Sequence, residues 1–225
     1  MKSTYYKLPA DEIYEELAHL ESPYTVKIEG VDLSIHPHVY PSEKFRTTSF
    51  VLKALQKKFR DKTVCDMGCG PGIVGLYALK NGAKKVVQAD INPFAIQNAI
   101  ENRKINDFPE QKAMIYESDC FNQVPPQIFD IIVFNMPFHS DEIEIKDPLE
   151  RAFYDPDFQS IRKFLGQIPD YSNLSTEIFI AFSSKGDTPS LEAIFSDLGY
   201  KWELWKITNT KQDYDNRIYR LSLGE

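Results

Sequence analysis

A glycine-rich stretch with an acid on each flank constrains this chain more than any other feature. Val64-Cys65-Asp66-Met67-Gly68-Cys69-Gly70-Pro71-Gly72 runs from apolar residues into a turn. Asp90 follows about 20 residues beyond the turn. The order reads as a strand, a tight turn, a helix, and a second strand ending in a carboxylate. Glycines at 68, 70 and 72 let backbone approach a ligand where a side chain would collide. The helix N-terminus behind them offers unpaired N–H groups. Asp90 is placed to accept from the two hydroxyls of a ribose. The stretch therefore predicts a nucleoside-cofactor site at the carboxyl edge of a β/α unit.

Charge separates the candidate cofactors. Gly70-x-Gly72-x-x-Gly75 formally matches the dinucleotide fingerprint, and a nicotinamide-dependent oxidoreductase is one reading of it. A dinucleotide would set its pyrophosphate beside Asp66, and like charges a few ångströms apart cost roughly 4 kcal/mol at an effective dielectric near 20. S-adenosylmethionine instead carries an ammonium, which can pair with Asp66, and a carboxylate, which can meet the loop N–H groups. Asp-x-Gly-x-Gly thus points to S-adenosylmethionine.

Hydrophobic periodicity supplies the fold class. Strands are predicted over residues 63–67, 85–89, 113–116, 129–134 and 177–183, with helices over 73–80, 94–104 and 191–198 between them. Residues 200–207 and 217–223 close as an antiparallel pair. Such alternation implies an α/β fold, a Rossmann-like doubly wound and mostly parallel sheet with helices on both faces. Asp66, Asp90, Asp119 and Asn135 all fall at carboxyl ends of strands, where ligands bind in such sheets.

Ahead of this region, residues 1–45 read as an N-terminal extension. It comprises a helix over 10–20 behind Pro9 and a hairpin over 24–35 around Glu29-Gly30. An amphipathic helix over 49–59 opens the main domain, 46–225. Residues 139–175 are acidic and polar, broken by Pro148, Pro156 and Pro169, with one or two short helices expected over 151–165. A long excursion leaving the rim of the site reads as a substrate lid.

Composition narrows the partners. The net charge of −7, from 26 Lys and Arg against 33 Asp and Glu, disfavours a long nucleic acid, whose binding draws on phosphate neutralisation. No run approaches 18 apolar residues, and no basic-plus-apolar leader opens the chain, so no membrane partner and a cytoplasmic location are expected. Cys65, Cys69 and Cys120 form no CxxC pair and read as buried thiols. The four histidines lack ligand spacing, so no metal is expected.

Four segments together carry a family resemblance. Asp66-Met-Gly-Cys-Gly-Pro-Gly72, Asp90-Ile-Asn-Pro93, Asp119-Cys-Phe121 and Asn135-Met-Pro-Phe138 resemble class I S-adenosylmethionine-dependent methyltransferases. They are similar to the small-domain group, which includes release-factor glutamine and ribosomal-RNA guanine N-methyltransferases. Val39-Tyr40-Pro41 through Thr47 resembles the segment preceding the first strand of that group. The resemblance spans roughly residues 40–223 and implies a seven-stranded sheet with a reversed C-terminal hairpin. By the same resemblance, Asp66, Gly68, Gly70 and Gly72 hold the methionine end of the cofactor. Asp90 holds the ribose and Ile91 packs on the adenine. Asp119 accepts from the adenine amino group, and Cys120 and Phe121 line that ring.

Asn135-Met136-Pro137-Phe138 stands where the family has Asn-Pro-Pro-Tyr or Phe, a mark of methylation at a planar nitrogen. Such a nitrogen delocalises its lone pair and is a poor nucleophile. If the Asn135 side-chain oxygen and the Met136 carbonyl accept its N–H bonds, the nitrogen is drawn toward tetrahedral geometry. The same acceptors stabilise the charge that develops on it. Phe138 covers the planar group. The family proline is Met136 here, but the acceptor is a carbonyl, and Pro137 still biases residue 136 toward extended backbone. The acceptor of the methyl group is expected to be a small molecule or a protein. His139 extends the tetrad toward the guanine-modifying branch, leaving RNA guanine methylation as an alternative. A non-catalytic S-adenosylmethionine-binding subunit is the alternative of another class.

Overall fold

A computed structural model describes residues 19–208 and 214–224. The helix expected over 10–20 lies almost wholly outside them. A two-stranded antiparallel sheet comes first, β1 (Tyr24–Ile28) with β2 (Val31–Ile35). The turn between them places Glu29 and Gly30 at positive φ, 47° and 82°. Helix α1 (Arg46–Leu55) starts three residues earlier than the periodicity suggested and ends in a 3-10 turn, Gln56–Lys58.

The main sheet then builds as β3 (Thr63–Met67), α2 (Ile73–Lys80), β4 (Lys85–Asp90), α3 (Pro93–Ile105), β5 (Ala113–Glu117) and β6 (Ile131–Asn135). Helix α4 (Gln159–Gln167), β7 (Glu177–Ser183), α5 (Thr188–Asp197), β8 (Tyr200–Ile207) and β9 (Asn216–Leu223) complete it. The seven strands are ordered β5-β4-β3-β6-β7-β9-β8. The first five are parallel, and β9 runs antiparallel between β7 and β8. This is the doubly wound sheet with a reversed hairpin that the alternation predicted. Helix α5 begins at Thr188 rather than 191, because Asp187 accepts from Ser190 N and Pro189 sits in the first turn.

Alternate residues of each strand feed two apolar layers, as the two-residue period requires. Cys65, Met67, Ile132, Phe134, Ile178 and Ile180 face the layer capped by α4 and α5. Val64, Ile131, Val133 and Phe179 face the layer shared with α1, α2 and the β1–β2 hairpin.

The hairpin is joined to the main sheet by asparagines of α3. Asn102 accepts from Ser34 N at 2.7 Å and donates to Ser34 O and Pro71 O, both at 2.9 Å. Asn98 accepts from His36 N and donates to Ser34 O; Asn106 bonds Asp32 N and O. Asparagines at every fourth position thus pair with the edge of β2 much as a neighbouring strand would. Asn92 donates to His38 O and so fixes the chain that leads to Tyr40.

Candidate active site

The acids expected on one rim are brought together there. Asp66 lies one residue before the end of β3 and is 2% exposed. Its register partner across β3–β4 is Gln88, and neighbours in a parallel pair point to the same face. Gln88 Nε2 donates to Asp66 Oδ2 at 3.0 Å, as does Gly75 N. A Cβ on Gly75 would lie 2.6 Å from the Gln88 amide, so glycine there makes room for the pair. Burial pushes the Asp66 carboxyl up to about 7; the Gln88 and Gly75 donors lower it, and the Asp90 charge adds to the rise.

Asp90 ends β4 and ties the glycine loop down: its Oδ2 accepts from Gly70 N at 2.8 Å and its Oδ1 from Asn92 N at 2.9 Å. Burial raises this carboxyl too, against the opposing pull of backbone N–H groups. Gly68 has φ 62°, and a Cβ there would lie 2.8 Å from the Phe134 ring, so both conformation and space require glycine. Asp66, Gly68 and Asp90 line one pocket, together with Gly70, Ile91, Asp119, Cys120 and the Asn135–Phe138 tetrad, whereas Gln88, Gly75 and the expected Gly72 do not line it.

Phe121 departs from expectation. It is 1% exposed and turned into the core, stacked on Tyr171 at 4.2 Å between ring centroids. The cause is Cys120, whose φ of 54° swings the chain away from the pocket. Cys120 itself lines the pocket, and burial pushes its thiol up to about 12. All three cysteines are buried and free.

The tetrad follows β6. Met136 N donates to Ala181 O of β7, and the Met136 side chain, 4% exposed, joins the apolar layer with Phe134 and Phe182. The substitution of the family proline therefore changes packing below the rim. Among the described residues, neither the Asn135 side chain nor the Met136 carbonyl is hydrogen-bonded, and both residues line the pocket. His139 is 8% exposed, its ring between Phe138 and Tyr154 at 4.5 and 5.3 Å, so it braces the base of the following segment.

Three contributors were not singled out from the sequence. Thr48 on α1 lines the pocket, is 1% exposed, and its hydroxyl has no hydrogen-bond partner among the described residues. A buried unpaired hydroxyl is costly unless a ligand satisfies it. Tyr40 lines the same pocket and stacks on Phe45, which packs on Phe153 from the 139–175 segment. Gly186, after β7, lies against the Phe138 carbonyl, and a Cβ there would stand 2.5 Å from the Phe182 ring.

Known proteins share this sequence pattern. The family described as "Methyltransferase small domain" matches residues 30–155, over half of the chain. The chain belongs to the methyltransferase small domain family. It is an S-adenosylmethionine-dependent N-methyltransferase. A Methanocaldococcus jannaschii protein named as an N5-glutamine methyltransferase is 33% identical over 184 residues, 80% of this methyltransferase and 89% of that protein. The ribosomal protein L11 methyltransferase of Bacteroides thetaiotaomicron is 30% identical over 107 residues, which are 47% of this chain but 38% of that enzyme. The fold is shared with a T. thermophilus 16S rRNA N2-guanine methyltransferase solved with AdoMet and guanosine. The TM-score is 0.64 at 20% identity, covering 90% of this chain and 50% of that one. Among the described residues no helix is long and apolar enough to cross a membrane, and no acid, cysteine and histidine cluster could hold a metal ion.

The pocket suits the cofactor that the family uses. Asp66 offers a buried carboxylate to an ammonium, and Thr48 an unpaired hydroxyl. Asp90 ends β4 and Asp119 lies two residues beyond β5, both along the same pocket.

Proposed function

We propose that this methyltransferase acts on a side-chain amide nitrogen of a polypeptide, with Asn135 and Met136 as the groups that hold the acceptor nitrogen. The observation that carries the reading is the pair of unengaged oxygen acceptors, on the Asn135 side chain and the Met136 backbone, in one pocket with Asp66 and Asp90. Bound S-adenosylmethionine supplies a methyl group made electrophilic by the sulfonium.

The protein's own groups do the rest. Asn135 and Met136 accept the two N–H bonds of the amide, oppose its planarity, and stabilise the positive charge that develops on nitrogen. Phe138 lies across the planar group and limits its rotation. Held this way, the nitrogen lone pair points along one direction, which supplies much of the remaining rate enhancement. No buried base is required, because the proton leaves after transfer. Asp66, Gly68, Gly70, Asp90, Ile91, Asp119 and Cys120 form the cofactor side, with Gly72 supporting the loop from behind and Thr48 and Tyr40 covering it. Residues 139–175 form the wall over the acceptor, since Pro148, Arg151 and Ser160 line the same pocket.

Two points favour an amide in a protein. The archaeal relative, which this chain nearly spans, is named for glutamine N5. The net charge of −7 opposes a long polyanion. His139 is occupied in packing, so it adds no support for a nucleobase. Incubation with methyl-labelled S-adenosylmethionine and cell extract separated into protein, RNA and small-molecule fractions tests the proposal. Label confined to protein and recovered as methylated amide after proteolysis supports it. Label in RNA or small molecules replaces it.

A further inference from the structure

The loop expected to bind adenine takes a set of contacts from a helix about forty residues further along the chain. Lys163 Nζ lies 2.5 Å from Asp119 Oδ2. The Cys120 thiol reaches the Ser160 carbonyl at 3.6 Å. Phe121 N donates to Gln167 Oε1 at 2.9 Å, and Gln167 Nε2 donates to Asn122 Oδ1 at 2.8 Å. The Phe121 ring stacks on Phe164, with centroids 5.6 Å apart.

Ser160, Lys163, Phe164 and Gln167 follow the three-and-four spacing of one helical face, so a single face of α4 carries every one of these contacts. Helix α4 belongs to the 139–175 segment, read from sequence as a cover for the acceptor.

We propose that Lys163 is a positioning residue of the adenine subsite, holding one oxygen of Asp119 so that the carboxylate presents its remaining capacity to the adenine amino group. Asp119 and Ser160 line the pocket, whereas Lys163 stands behind Asp119 and does not. An ionised carboxylate has about four acceptor sites, so a lysine on one oxygen leaves room for an amine. The Lys163 and Asp119 side chains are 35% and 46% exposed. At such exposure an ion pair contributes little to folding, so its contribution lies in orientation. A carboxylate on a loop would otherwise sample several rotamers, and cofactor binding would bear the cost of ordering it. The segment covering the acceptor thereby also forms the outer wall of the cofactor site. The inference rests on Asp119 being the adenine acid.

A double-mutant cycle tests it, with S-adenosylmethionine titrated calorimetrically into wild type, K163M, K163R, D119A and K163M/D119A. The account expects K163M to raise Kd about tenfold, K163R to recover most of that loss, and K163M to change Kd by less than about twofold in the D119A background. Equal weakening by K163M in both backgrounds would make Lys163 a general support of α4, and an unchanged Kd in K163M would remove it from the site. Either result overturns the proposal while leaving D119A weakened. An unchanged Kd in D119A overturns the adenine assignment itself, and the proposal with it. K163Q repeats the test by removing the charge with a polar side chain, should methionine disturb the packing of α4.

Discussion

Gln88 donates to Asp66 across adjacent parallel strands at 3.0 Å, with the same Nε2 also 3.0 Å from the Gly72 carbonyl. One amide therefore links the buried acid to the glycine loop that it serves. The arrangement leaves Asp66 with a carboxyl raised to about 7, chiefly by burial, so the free protein carries it partly protonated near neutrality.

Cofactor affinity should follow that titration. An ammonium pairs with the ionised form, so the Kd of S-adenosylmethionine should rise as pH falls below about 7, approaching tenfold per unit. Binding near pH 7 should release a fraction of a proton, read by calorimetry in buffers of different ionisation enthalpy. D66N should bind weakly and lose the dependence. For folding the sign is opposite. A raised carboxyl favours the protonated native state, so the free protein's stability from this group is present below about pH 4 and is lost as pH rises through 7. A Kd independent of pH between 5.5 and 8 would remove Asp66 from the ammonium site.

Thr48 offers a test that separates binding from folding. T48V keeps the shape and removes a buried hydroxyl that has no partner among the described residues. The free protein should be as stable as wild type or more so, because an unsatisfied group disappears. Cofactor affinity should fall about five- to tenfold, corresponding to one lost hydrogen bond. Unchanged affinity would mean that the hydroxyl does not meet the ligand.

Gly186 has no positive φ to justify it, so its requirement is purely one of space. G186A should push on the Phe138 carbonyl and the Phe182 ring. We expect kcat to drop on the order of tenfold or more, as a displacement near 1 Å can do, with the cofactor Kd within about twofold of wild type. Wild-type kcat would show that the tetrad tolerates the shift.

Asn102 is the central bond between the hairpin, α3 and the glycine loop. N102A leaves the Ser34 N–H and the Pro71 carbonyl without that partner. A loss of about 1–3 kcal/mol in denaturant unfolding is expected. A change below about 0.5 kcal/mol would place the hairpin's attachment elsewhere.

These asparagines also show where sequence reading stopped. Apolar period and glycine punctuation suffice for strands and helices, and acids at strand ends mark a rim without coordinates. Nothing local to Asn98, Asn102 and Asn106 reports that an unpaired strand edge will lie against them. Phe121 stands in a motif that implies the pocket, yet its direction follows from the left-handed φ of Cys120, a non-glycine residue that gives no local signal. Lys163 and Thr48 act across the fold, and such meetings are set by tertiary packing. The early start of α5 was legible in Asp187-Thr188-Pro189, a capping acid followed by a proline suited to a first turn.

Asn135 carries the central claim. Turnover and cofactor affinity should be measured together for wild type and N135A with the methyl-accepting protein fraction. The account predicts a cofactor Kd within about twofold of wild type and a kcat lower by about 100-fold or more, because the lost interaction exists chiefly in the transition state. Wild-type turnover, or loss of cofactor binding in step with turnover, would contradict it.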